Sequence, residues 1–175
     1  MSTNKISIVV PVYNAFETLD ELVSQCEKNI QGITHDFEII LIDDYSTDNS
    51  WEKIKNISDQ NISVKGLKLI RNFGVDIAIT EGLKHSSGDF IFIITCDLTD
   101  PLNEMKTMFN KISMDKNIDV VCSFYENKHP ESLISKFFSK IYWKIFSFLI
   151  NEVYPVEEGL YRIISKRAAN IYLTN

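Results

Sequence analysis

Carboxylates stand at the ends of two apolar runs in this chain, a placement from which they can do chemistry. Residues 90–101 read FIFIITCDLTDP and stay apolar until Asp97 is near; residues 38–50 read EIILIDDYSTDNS and stay apolar up to Asp43 and Asp44. A carboxylate just past a strand's carboxyl end can hold a hard divalent cation, and the cation can hold phosphates. Asp43 or Asp44 can instead accept from a base N–H or from ribose hydroxyls. A third run, residues 5–11, is followed by Val12, Tyr13 and Asn14, and the Tyr13 ring could stack on a base. In a parallel sheet these three exits would cluster at one edge, where open α/β sheets bind ligands. The plain alternative for Asp97 is a solvated loop acid.

The elements that must position these residues follow from pattern. Ile91, Phe92, Ile93 and Ile94 show no polar alternation, as expected of a strand covered on both faces. Asp100 and Pro101 read as an N-cap and a first helical position, which predicts a helix over 101–114 with Met105, Met108, Phe109 and Ile112 on one face. Residues 5–11 predict the first strand. Phe16, Leu19, Leu22 or Val23, Cys26 and Ile30 then recur at helical spacing, with Gly32 in the C-cap region. Strands over 37–42, 64–70 and 118–124 and helices over 51–57 and 75–85 fill the middle. A short strand over 161–164 and a helix over 166–172 capped by Ser165 end the chain. The alternation predicts an α/β fold, one domain over 1–175, with a mostly parallel sheet and helices on both faces.

Composition excludes several classes. The chain has 175 residues, 45% hydrophobic and 24% charged, with a formal net charge of −6. That balance argues against nucleic-acid binding, which needs a basic footprint. Cys26, Cys96 and Cys122 fall in apolar contexts without zinc spacing and read as buried thiols. The amino terminus carries no signal-peptide pattern. His35, His85 and His129 have no ligand spacing. No glycine occurs in 11–18 and no Walker-type loop is present, so phosphate must be met by a metal or by side chains. Residues 131–150 combine a wide apolar, aromatic face with Lys136, Lys140 and Lys144 spaced four apart. This reads as a helix lying in a membrane interface, with a core helix carrying three solvated lysines as the other reading.

Taken in order, Val9–Asn14, EIILIDDYSTDNS, Arg71-Asn72-Phe73-Gly74, Gly82-Leu83, Gly88-Asp89 and Asp97-Leu98-Thr99-Asp100-Pro101 together resemble the family-2 glycosyltransferases of GT-A fold. Within that family the chain looks most like the polyprenyl-phosphate sugar transferases, and the likeness runs over about residues 5–172. The resemblance implies a UDP- or GDP-linked sugar donor, a Mg²⁺ or Mn²⁺ ion on its diphosphate, and a polyprenyl phosphate or glycan acceptor. It also implies peripheral attachment to the cytoplasmic face of a membrane. Carried over by position, Pro11, Tyr13 and Asp43 would hold the base, with Asn14, Asp44 and Arg71 completing the nucleotide site. Asp97 would be the metal-binding, catalytic acid, and Lys136, Lys140 and Lys144 would face acceptor and membrane.

The chain also departs from the family pattern. Thr95-Cys96-Asp97 stands where the family has Asp-x-Asp, and Thr99 stands where it usually has Gln. Ala15 replaces an acid, Tyr45 a glycine, Leu160 the acid of Gly-Asp-Phe-Arg, and Tyr125 an expected base. Two further readings follow: a GT-A module that binds a nucleotide or a partner without turnover, and a transferase that uses a sugar hydroxyl away from membranes.

Overall fold

The computed structural model describes residues 4–124 and 158–174. Six strands form one sheet in the order β3-β2-β1-β4-β6-β5. They are β1 (Ile6–Val12), β2 (Phe37–Asp43), β3 (Val64–Lys68), β4 (Phe90–Ile93), β5 (Val120–Phe124) and β6 (Glu158–Ser165). Helices α1 (Leu19–Ile30), α2 (Ser50–Gln60), α3 (Val75–His85), α4 (Met105–Met114) and α5 (Lys166–Thr174) complete the described secondary structure, with a 3₁₀ turn at Leu102–Glu104. This is the α/β architecture expected from the sequence, a mostly parallel sheet with helices on both faces. Packing divides the chain into two units, Met1–Cys122 with Leu160–Asn175, and Ser123–Gly159. The predicted helix over 131–150, with Lys136, Lys140 and Lys144, lies outside the described residues, as do Tyr125 and His129.

Every residue of β1 is buried, because β1 has strands on both edges and helices on both faces. Its side chains alternate between two cores. Ile6, Ile8, Val10 and Val12 enter the core that also takes residues of α1 and α4, and Val9 enters the one that takes residues of α3. Ile39 and Leu41 against Ile40 and Ile42 do the same in β2, and Phe92 and Ile94 against Ile91 and Ile93 at β4. Alternation between two apolar environments appears in sequence as an unbroken apolar run.

β1 pairs in parallel with both β2 and β4. The chain therefore builds outward from β1 to β3 and then crosses back, through α3, to the other side of β1. The crevice between β1 and β4 is the point where strand order reverses, the position that opens a ligand site in such sheets. β6 runs antiparallel to β4, with Ile93 opposite Arg162. Continuing that register brings Leu160 to the level of Thr95.

Several boundaries differ from the sequence reading. The helix predicted from Pro101 begins as the Leu102–Glu104 turn, and α4 starts at Met105. Asp100 does not cap it: its Oδ2 accepts the Thr95 N–H at 2.6 Å instead. Gly32 does follow the C-cap of α1, Gln31, whose N–H reaches the Glu27 carbonyl at 3.1 Å, and it is not in the left-handed region. Cys26 is buried, but Cys96 and Cys122 are only half-buried. The cap predicted at Ser165 is present, its Oγ accepting the Ala168 N–H at 3.1 Å.

The amino end of the sheet is fastened by one buried acid. Glu38 Oε1 accepts from the Ser7 hydroxyl at 2.7 Å and from the Ser87 N–H at 2.7 Å and its hydroxyl at 2.8 Å. Its Oε2 accepts from Lys65 at 2.6 Å. The Gly88 N–H completes the set by donating to Ser7 Oγ at 2.9 Å. A Cβ on Gly88 would stand 2.5 Å from the Ser7 nitrogen, so only glycine lets the chain pass that close. Burial pushes the Glu38 carboxyl upward, but the bonds from Lys65, Ser7 and Ser87 outweigh it and hold the pKa at about 2. A lowered folded-state pKa gives stability that is complete above the ordinary glutamate range and is lost as pH falls toward 2. Glu38→Gln should therefore lower the melting temperature at pH 7, and should lose less than the parent between pH 5 and pH 2. Thermal melts across that range check both.

Candidate nucleotide and metal site

Three strand exits meet at the carboxyl end of the sheet, and side-chain oxygens hold each one in place. At the β1 exit the Asn14 N–H donates to Ser46 Oγ at 2.9 Å, and Asn14 Oδ1 accepts the Thr47 N–H at 2.8 Å. Ser50 Oγ accepts the Ala15 N–H at 2.9 Å, and Asp48 Oδ2 accepts the Phe16 N–H at 3.2 Å. Much of the polar stretch after β2 thus builds the loop wall. At the β2 exit both oxygens of buried Asp44 accept backbone N–H groups, from Phe73 and Gly74, each at 2.8 Å. Gly74 has φ 91° and stands as N-cap of α3, so the carboxylate also faces the positive end of a helix.

At the β4 exit the Thr95 hydroxyl lies 2.7 Å from Asp97 Oδ1 and 3.0 Å from Asp100 Oδ2, and donates its one proton to either. Asp97 Oδ1 also accepts the Thr99 hydroxyl at 2.7 Å and the Thr99 N–H at 3.1 Å. Oδ2 of Asp97 takes part in none of these bonds and belongs to an exposed residue. Partial desolvation would raise the Asp97 pKa, but the bonds from Thr95 and Thr99 prevail and hold it below the usual carboxylate range. Asp97 is thus fixed and biased toward its ionised form. Nearby Cys26 is the opposite case: burial, reinforced by Glu27 and Asp100, pushes its thiol up to about 12, where it is inert.

Pro11, Val12, Tyr13, Asp44, Val75, Thr95, Cys96, Asp97 and Leu160 line a cleft of about 190 Å³. The fold therefore brings together Pro11, Tyr13, Asp44 and Asp97. Asn14 stands at the rim, committed to its loop. Asp43 lies beneath, fully buried, with Oδ1 accepting the Ser46 N–H at 3.2 Å and Oδ2 without a hydrogen-bond partner. Arg71 is not in the lining; its guanidinium packs 4.5 Å from the centre of the Phe73 ring. Tyr45 is half exposed and is not in the lining either; Leu160 forms one wall. Among the described residues no three His, Cys, Asp or Glu side chains converge to hold a metal ion; Asp97 and Asp44 are the carboxylates in the cleft lining. Val75 as a wall of the cleft was not picked out from sequence.

Each exit also carries a non-glycine residue in the left-handed region: Asn14 at φ 50°, Tyr45 at 60° and Leu98 at 62°. Asparagine adopts this conformation readily, whereas tyrosine and leucine are strained there.

This open, mostly parallel sheet, with an antiparallel β6 and a carboxylate-rimmed cleft at the switch point, is the fold of solved GT-A glycosyltransferases. The structure resembles a mannosyltransferase from Pyrobaculum calidifontis in complex with GDP-mannose and Mn²⁺, with TM-score 0.70 and 15% identity over 98% of this chain and 47% of that one. It also resembles glucosyl-3-phosphoglycerate synthase from Mycobacterium tuberculosis with Mn²⁺, UDP and phosphoglyceric acid, with TM-score 0.66 and 20% identity over 94% of this chain and 56% of that one. The chain belongs to glycosyl transferase family 2, whose sequence profile matches residues 7–172. An undecaprenyl-phosphate 4-deoxy-4-formamido-L-arabinose transferase of Salmonella choleraesuis is 36% identical over 138 residues, 78% of this chain and 41% of that protein. An uncharacterized glycosyltransferase of Synechocystis is 25% identical over 96% of this chain and 52% of its own length. The chain thus spans about half the length of these curated relatives.

The left-handed exits give a test of local strain. Gly and Ala both remove the Tyr45 ring, so their difference isolates the backbone. Tyr45→Gly should be more stable than Tyr45→Ala by about 1 kcal/mol, the order of the left-handed penalty of a Cβ-bearing residue. Urea denaturation of the two variants measures it.

Proposed function

We propose that this chain transfers a sugar from a nucleoside diphosphate to a polyprenyl phosphate, working as one GT-A-like domain. The observation that carries the reading is Asp97, pinned on Oδ1 by Thr95 and Thr99 with Oδ2 left over, at the mouth of a cleft walled by Pro11 and Tyr13. Tyr13 supplies an aromatic face for the base, Asp43 accepts from the base edge, and Asn14 and Asp44 hold the surrounding loops. Arg71 at the loop beyond β3 supplies positive charge to the nucleotide.

The donor set fits a hard divalent ion, Mg²⁺ or Mn²⁺, with Asp97 as protein ligand and diphosphate oxygens as others, since Mg²⁺ commonly uses one or two carboxylates plus substrate phosphates. When bound, the ion offsets the charge that builds on the leaving diphosphate. The acceptor oxygen attacks the anomeric carbon as the bond from that carbon to the diphosphate breaks, releasing the nucleoside diphosphate. A phosphate acceptor suits a cleft in which Leu160 replaces an acid. A phosphate oxygen is already ionised near pH 7, whereas a sugar hydroxyl needs a general base. The name of the Salmonella relative supports the same acceptor class.

No helix among the described residues is long and apolar enough to cross a membrane. The basic, aromatic stretch over 131–150 supports delivery of a lipid-borne acceptor by peripheral contact, with Lys136, Lys140 and Lys144 as its proposed residues.

A second reading, nucleotide binding without turnover, is favoured by Thr95, which provides a hydroxyl where a second carboxylate would strengthen the ion site. Incubation with radiolabelled UDP- and GDP-sugars, Mn²⁺ and polyprenyl phosphate separates the two. Label should appear in the lipid fraction, and Asp97→Asn should lower the rate by at least about 10²-fold, the scale of losing one well-placed charge-stabilising group. Nucleotide binding with no transfer from the parent would establish the second reading.

A further inference from the structure

A second cavity, of about 300 Å³, opens in the α3 face of the sheet between α3 and α5. Three periodicities bring its walls together. Leu160, Arg162 and Ile164 alternate onto one face of β6. Ile79 and Leu83 stand four apart on α3, and Ala168 and Tyr172 four apart on α5. Ile93 of β4, half-exposed Val120 of β5 and Asp76 in the first turn of α3 complete the lining. Ile79, Leu83, Ile93 and Ile164 are buried members of the α3-side core, so the cavity is floored by core side chains. Two of its three polar members are engaged with neighbours. Arg162 Nε donates to the Leu160 carbonyl at 3.2 Å, and the Tyr172 hydroxyl lies 3.3 Å from that of Thr80. The chamber therefore offers a ligand chiefly hydrocarbon. Leu160 belongs to its lining and also to that of the cleft holding Asp97, so the two cavities share one side chain.

We infer that this chamber binds the isoprenyl units next to the phosphate of a polyprenyl phosphate. The inference rests on the acceptor reading given above and adds where the lipid chain goes. A molecule whose phosphate reacts in the cleft can lay its apolar chain past Leu160, into the space between α3 and α5. The volume is at the lower end for small-molecule pockets, so the chamber takes the first units and leaves the rest of the lipid outside. This also gives Leu160 a reason of its own. A carboxylate there would stand where cleft and chamber meet, and a hydrocarbon chain laid against it would strip its water at high cost. Leucine instead continues the apolar surface from one cavity to the other.

Calorimetric titration of the full chain with inorganic phosphate and with dimethylallyl, geranyl and farnesyl phosphates, below their micelle concentrations, tests this. Each added isoprene unit should tighten binding at least about tenfold until the chamber is full, since every buried methylene contributes. Ala168→Phe fills the chamber from α5 and should weaken farnesyl phosphate at least about tenfold, with the affinity for UDP or GDP plus Mn²⁺ unchanged. Leu160→Asn keeps the shape of the side chain, adds no charge and should weaken farnesyl phosphate likewise, whereas Leu160→Met should not. Melting curves establish that the variants fold. Binding that ignores tail length, or that neither Ala168→Phe nor Leu160→Asn weakens, overturns the chamber. Sugar transfer to dimethylallyl and farnesyl phosphates with equal KM also overturns it and leaves the transferase reading standing. Length-dependent binding that both variants weaken, with no transfer by the parent, upholds the chamber as a lipid site and removes the transferase reading.

Discussion

The rim of this site depends on side-chain oxygens that capture backbone N–H groups from a neighbouring strand exit. Strands buried on both faces satisfy their backbones within the sheet, but that ends where each strand ends. Asn14 and Ser46 join the β1 and β2 exits, Asp44 ties β2 to the entrance of α3, and Asp100 turns the chain back onto Thr95. Those accepted by the Asp44 and Asp100 carboxylates are charge-assisted and among the stronger ones available. They hold Asp97, Tyr13 and the cleft wall in position before any ligand arrives, so binding need not order them.

This arrangement changes the meaning of the acids near the cleft. Asp100 read in sequence as a helix cap, yet it anchors the return to Thr95; Asp44, a candidate nucleotide residue, lines the cleft and also anchors the entrance of α3. Thr95 is a substitution with a local logic. Its hydroxyl stands between Asp97 and Asp100 and donates to either, so two carboxylates lie close together without a third negative charge. Leu160 reaches the mouth because β6 runs antiparallel to β4, and there it contributes an apolar wall.

The sheet was legible in the sequence because burial on both faces writes itself as continuous apolar residues, as in β1 and β2. Helix α1 was legible because Leu19, Leu22, Cys26 and Ile30 keep helical spacing and face one core. The clustering of Pro11, Tyr13, Asp44 and Asp97 followed from parallel strands sharing one carboxyl edge. Asp100 was misread because an acid before proline suits a cap and a return to the preceding strand equally well. The 4.0 Å approach of Lys68 to Asp43 was not legible because it requires the β2–β3 register, which no local pattern encodes. The left-handed backbone at Tyr45 had one signal in the sequence, the glycine that the family pattern carries there, because a tyrosine itself says nothing about φ.

The Glu38 clamp lies at the amino end of the sheet, while the cleft lies at the carboxyl end, and the shared interior between them is apolar. Robustness and chemistry are thereby assigned to opposite poles of one molecule. Replacements such as Thr95, Tyr45 and Leu160 can accumulate at the working pole while the fastening at the other keeps the chain folded, leaving lineages free to retune or retire the chemistry without first inventing a new scaffold.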